Sequence, residues 1–149
     1  HDYALGYAGP IFSVIWRHET TVAGAVALHT QYDRFRTAAQ HGLVTIIEEG
    51  APLPPSDARE RIAKFLQESA STLVVSAVIF EGSGFRSAAV RGVVTGLTML
   101  AKQSYPHRVF GTLESAAEWY VGHAPSAWGM DESRFISSIQ GIRAQYPRE

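Results

Sequence analysis

An α/β fold, with a mixed but mostly parallel sheet flanked by helices, is the class this sequence predicts. One observation behind it is the run Leu73 to Phe80, short, apolar and rich in β-branched residues between turn signals, as in strands covered on both faces. The alternation of such runs with helical stretches of one apolar face is another, and it implies parallel neighbours joined by right-handed crossovers. An opening pair of strand-like runs around a tight turn adds antiparallel pairing. The predicted order is β-β-α-β-α-β-α-β-α, followed by a C-terminal helix.

Tyr3 to Tyr7 and Ile11 to Trp16 are the first two strands, reversed by Ala8-Gly9-Pro10. Thr20 or Thr21 caps a helix in which Val22, Ala25, Val26, His29, Tyr32 and Phe35 recur at three- and four-residue steps, with its end expected near His41-Gly42. His29 falls on that apolar stripe and reads as a core histidine. Leu43 to Ile47 is a buried strand, and the proline-rich stretch from Glu48 to Pro55 is an exposed connection, because proline removes a donor and fixes φ. Ser56 or Asp57 caps the next helix, which turns Ala58, Ile62, Phe65, Leu66 and Ser69 to one side. After Leu73 to Phe80, a helix from about Phe85 to Gln103 is broken by Tyr105-Pro106. His107 to Phe110 is the last strand, and Thr112 caps a helix from Leu113 to Val121. From Asp131 to Tyr146, Phe135, Ile139, Ile142 and Tyr146 make one apolar stripe, expected to pack back on the domain, with a second copy or another partner as the alternative. The division that follows is an α/β domain over residues 1–124 and a helical appendage over 125–149.

The chain has 149 residues, 46% apolar and 18% charged, which suits a globule large enough to bury a core. Thirteen basic and 14 acidic residues leave a net charge of -1 with no dense cationic cluster, so nucleic acid is not an expected partner. Cysteine is absent, which removes disulfides, thiolate nucleophiles and cysteine-ligated zinc. The six histidines, His1, His18, His29, His41, His107 and His123, lack ligand-like spacing, so neither a metal nor another cofactor is expected. No apolar run approaches the ~20 residues that span a bilayer, and the start lacks the basic-then-apolar pattern of a signal peptide. A cytoplasmic location is expected.

The sharpest candidate site is the turn after Leu73 to Phe80: Glu81, Gly82, Ser83, Gly84, Phe85 and Arg86. Its glycines permit a sharp turn, and Ser83 between them stands at the start of the predicted helix, where backbone N–H groups and the helix dipole favour an anion. A hydroxyl there is open to a kinase, and Arg86 would support the added phosphate while Glu81 repels it. The plainer role of Ser83 is a helix cap. Gly92 and Gly96 read as close packing of that helix on the sheet. Glu48 and Glu49, paired carboxylates beside a proline loop with no partner nucleophile, are expected to be solvated. Neither a nucleophile elbow nor a phosphate-binding or dinucleotide fingerprint occurs, so a non-enzymatic binding module is expected.

The element order, the loop Glu81 to Phe85 and the ending Arg108 to Tyr120, in which Glu114, Ala117, Trp119 and Tyr120 approximate a recurring strand, turn and helix, together resemble the STAS or SpoIIAA-like family over about Tyr3 to Gly122. Anti-sigma-factor antagonists of that family carry a loop whose serine or threonine is phosphorylated by a partner kinase. There the loop follows the first strand after helix one; here Glu48-Glu49-Gly50 holds that place and the similar loop comes one strand–helix unit later. The resemblance implies a regulatory module that binds a protein partner and is switched at Ser83. The SpoIIAA-like branch akin to lipid carriers implies instead an apolar small molecule or lipid, held between the sheet and the helices around Val22 to Phe35 and Val90 to Leu100.

Overall fold

The computed structural model describes residues 2–37, 39–82, 92 and 104–147. Strands β1 (Tyr3–Ala8), β2 (Ile11–Trp16), β3 (His41–Ile47), β4 (Leu73–Phe80) and β5 (His107–Phe110) form one sheet in sequential order. β1 and β2 are antiparallel, and every later pairing is parallel. Helices α1 (Val22–Phe35) and α2 (Ser56–Glu68) connect the parallel strands, and α3 (Leu113–His123) and α4 (Glu132–Ala144) follow β5. The predicted helix between β4 and β5 lies outside the described residues except for Gly92, which is helical and exposed. Exposure at Gly92 does not fit the close packing expected of that position.

Strand alternation sorts the core into two layers. Phe12, Val14, Trp16, Leu43, Ile47, Val78 and Phe80 point to one face, where they meet Leu28 and Tyr32 of α1 and Phe65 and Leu66 of α2. Ile11, Ile15, Val44, Ile46, Val75, Ala77 and Ile79 point to the other, against Ala116, Ala117 and Tyr120 of α3 and Phe135, Ile139 and Ile142 of α4. The hairpin turn needs Gly9, whose φ of +54° suits glycine.

Several boundaries differ from expectation for local reasons. α1 stops at Phe35 rather than near His41, because Thr37 Oγ1 accepts from the Ala39 N–H (3.1 Å) and the Thr37 N–H donates to His41 Nε2 (3.2 Å). The residues released extend β3 back to His41. Val22 and Val26 are 37% and 42% exposed, since α1 buries the stripe Gly24, Ala25, Leu28 and Tyr32 instead. His29 is partly buried and sits beside carboxylates, 3.6 Å from Asp33 and 3.7 Å from Glu68. Pro55, not Ser56 or Asp57, is the N-cap of α2; it presets φ at -67°, and Asp57 in the first turn accepts from the Ala58 N–H at 2.8 Å. Thr21 and Thr112 are the expected caps, accepting from Gly24 N–H (3.0 Å) and Ser115 N–H (3.1 Å).

Asp131 caps α4 by accepting from the Arg134 N–H at 2.8 Å, and Phe135, Ile139 and Ile142 are wholly buried while Tyr146 is 39% exposed. Because that stripe completes the core layer on β1 and β2, Phe135→Ala should cost about 3–5 kcal/mol. Urea denaturation followed by both far-UV dichroism and tryptophan fluorescence checks this; the expected result is one shifted transition common to both probes.

Candidate functional site

The register of the parallel strands places three charged residues in a row. Trp16 pairs with Ile47 and Ile47 with Phe80, so the residues one step further on, Arg17, Glu48 and Glu81, lie side by side at the carboxyl end of the sheet. The ladder carries them there: the Glu48 N–H donates to Trp16 C=O (2.9 Å) and the Glu81 N–H to Ile47 C=O (3.0 Å). Trp16, Ile47 and Phe80 point to the α1/α2 face, so alternation sends the next residues toward α4.

Two carboxylates on adjacent strands, ~5 Å apart by strand spacing, repel unless a cation lies between them. Arg143, near the end of α4, fills that role. Its Nη1 donates to Glu81 Oε2, and its Nη2 donates to Glu81 Oε1 and to Glu48 Oε2, each at 2.7 Å. Arg17 Nε lies 3.5 Å from Glu48 Oε1, and its Nη2 donates to the Tyr146 carbonyl. Hydrogen bonding to Glu81 raises the Arg143 pKa above its ordinary value, against the effect of burial, and Glu48 adds to the rise. The guanidinium is charged throughout the working pH range.

Glu48 is 4% exposed, which overturns its reading as a solvated loop carboxylate. The prolines that follow it expose the connection, but Glu48, one residue past β3, is still held to β2 by its backbone and faces α4. Glu49 is exposed, as expected, and its side chain runs beside Gly82, where a Cβ would meet its Cγ, Cδ and Oε1 at 2.7 to 3.0 Å. Gly82 has φ +85°, which is why the turn after β4 needs glycine. Of the six residues singled out in the sequence, Glu81 and Gly82 root this turn at the ion-pair cluster. Ser83, Gly84, Phe85 and Arg86 lie outside the described residues.

Arg143 and Arg17 are the residues sequence reading missed. A usable signal was present: an acid immediately after each of two neighbouring parallel strands demands a cation from some other element, and the flank of a buried helical stripe is a natural source.

A second polar cluster lies on the opposite face, over the β4 and β5 side of the sheet. Ser76 and His107 are register partners on β4 and β5, with Ser76 Oγ 2.9 Å from His107 Nδ1. They line, with Thr45, Leu43, Val78 and Phe65, a cavity of about 40 Å³. Among the described residues this is a space for one water or so; the helix around Val90 to Leu100, expected to bound an apolar ligand, lies outside the described residues but for Gly92. Burial lowers the His107 pKa to about 4, and its Nε2 is enclosed without a hydrogen-bond partner.

Two outcomes are expected. Arg143→Met leaves two carboxylates facing each other and should lose about 3–5 kcal/mol at pH 7, with most of the loss recovered by adding Glu48→Gln; denaturant titration of both variants measures it. For His107, the folded-state pKa lies below the ordinary 6.5, so the unfolded chain takes up the proton first. Stability complete above pH 6.5 is therefore lost as the pH falls toward about 4, by roughly 2–3 kcal/mol. Thermal melts across that window should show a slope that His107→Asn flattens. No protein-family model, curated protein or solved structure matches this chain at a significant level.

Proposed function

We propose that the chain is a non-enzymatic, STAS-like regulatory module that binds a protein partner through the Glu81 to Arg86 loop and is switched by phosphorylation at Ser83. The observation that carries the reading is the pair of 2.7 Å bonds by which Arg143 holds both oxygens of Glu81, the first residue of that loop. A loop rooted on a clamped residue leaves the sheet in a fixed direction, which lowers the ordering cost of binding. It also leaves from the carboxyl end of parallel strands, where open α/β sheets take their ligands.

The same clamp gives phosphorylation a mechanism. A phosphate on Ser83 is within ~7 Å of chain from Glu81, and its charge of about -2 competes with Glu81 and Glu48 for Arg143. Unmodified, the cluster is close to neutral, with two arginines against two glutamates. Modified, it carries an excess of negative charge that loosens Glu81 from α4 and redirects the loop. The carboxylates of Glu48 and Glu81 are committed to arginine, which leaves neither free to act as a general base.

Native mass spectrometry of the protein purified from its own host, joined to a phosphopeptide map, tests the reading. The expected result is a phosphate on Ser83 and a protein complex that the unmodified form keeps and the phosphorylated form loses, or the reverse. An unmodified Ser83 with a noncovalent apolar adduct would overturn it in favour of a small-molecule carrier.

A further inference from the structure

We infer that Ala51 to Pro55 is a preformed docking segment for a protein partner with an aromatic-lined, cation-rimmed groove of the kind that takes polyproline II helices. The inference rests on this segment alone and needs no modification of Ser83. The sequence sets the backbone before any contact is made. Pro52, Pro54 and Pro55 have φ fixed at about -65° by their rings. Ala51, Leu53 and Pro54, each followed by a proline, are kept out of the helical region. Pro55 closes the run at φ -67° and ψ 165°. These are polyproline II angles, which bring the chain round once in three residues.

Burial follows the same period. Ala51 and Pro54, one turn apart, face the domain: Pro54 is buried, and Ala51 is half-buried against the α1/α2 core layer. Leu53 is half-buried on that layer as well. Pro52 and Pro55, also one turn apart, are exposed. Two pyrrolidine rings therefore stand on one outward ridge, ~9 Å apart along it. Hydrogen bonds hold the ridge in place: the Ala51 N–H donates to Glu48 C=O (3.1 Å), Arg59 Nη1 to Pro54 C=O (3.0 Å) and the Arg59 N–H to Pro55 C=O (3.0 Å). An exposed ridge that is already ordered loses little entropy on binding, and its rings are the groups that aromatic grooves grip.

Charge specifies the groove further. Close to the ridge along the chain, the exposed charged side chains are Glu49, Asp57 and Glu60, all acidic. The cations there are turned inward, Arg59 to the Pro54 carbonyl and Arg61 to His29 (3.1 Å). A complementary groove carries lysine or arginine at its rim. The Glu49 side chain also runs beside Gly82, which places the ridge next to the base of the Glu81 loop.

The probe is a purified WW domain with lysine and arginine around its aromatic groove, titrated to about 1 mM into the unphosphorylated, isotope-labelled chain. The outcome is thereby independent of the Ser83 reading. Amide shifts should concentrate at Ala51, Leu53, Ser56 and Asp57, with a dissociation constant of roughly 0.1–1 mM. Pro52→Ala and Pro55→Ala, which keep the buried Pro54, should each weaken binding at least ~5-fold, and the exposed Glu60→Lys by about 3-fold. Pro52→Ala and Glu60→Lys keep the test decisive if Pro55→Ala, at the cap of α2, fails to fold. An SH3 domain with an acidic rim should bind at least ~10-fold more weakly than the WW domain; equal binding overturns the charge assignment. No shift at about 1 mM, shifts centred on another surface, or binding indifferent to these substitutions overturns the inference.

Discussion

Glu48 and Glu81 stand next to each other because the parallel register allows nothing else, and the rest of this end of the molecule is arranged around their repulsion. With Trp16, Ile47 and Phe80 in register, a one-residue slip of β4 against β3 would send Glu81 to the α1/α2 face and remove the conflict, but it would also turn Val78 and Phe80 out of their core layer. The apolar pattern therefore holds the two carboxylates together. What resolves the repulsion is a guanidinium delivered by an element far away in the chain. A planar fork of donors binds both carboxylates at once, which lysine could not reproduce.

That delivery depends on how closely α4 approaches the sheet. Ile142, the neighbour of Arg143, rests where a side chain on Gly6 would stand; a Cβ there would meet Ile142 at 2.7 Å. Glycine on β1 lets the helix settle on the strand, and the buried stripe Phe135, Ile139 and Ile142 fixes its rotation. Once the stripe faces inward, Arg143 is carried to the carboxyl end of β3 and β4. Helix packing and ion pairing thus support each other: the apolar contacts set the geometry, and the ion pairs compensate charges that the strand register forces together.

Much of this architecture was legible in the sequence. Each strand and each of the four α-helices described in full was visible in the sequence, while the 3-10 turn Ser126–Trp128 was not, and Thr112 and Gly9 marked an end and a turn by local chemistry alone. The reading failed where a tertiary contact overrides a local pattern. Val22 and Val26 sit at helical spacing yet face solvent, because α1 buries Gly24, Ala25, Leu28 and Tyr32 instead. Glu48 was read as solvated because the prolines after it dominate the local composition, whereas its burial depends on Arg143, 95 residues away. Half of the candidate site was visible, the acids at the strand ends; its cationic half follows from α4's packing, which no local window contains.

The C-terminal end of α4 also lies between the ion pairs at the carboxyl end of the sheet and the inner face of β1. Arg143 holds Glu48 and Glu81, and three residues later the Tyr146 carbonyl accepts from Arg17 while its ring reaches the groove beside β1. Ile142 meanwhile covers the inner face of β1 at Gly6. A change that draws Glu81 away from Arg143 therefore removes restraint from the segment that backs the β1 edge. The packed stripe on α4 makes that restraint mechanical, since Ile142 and Arg143 are neighbours on the helix and Tyr146 follows just beyond its end.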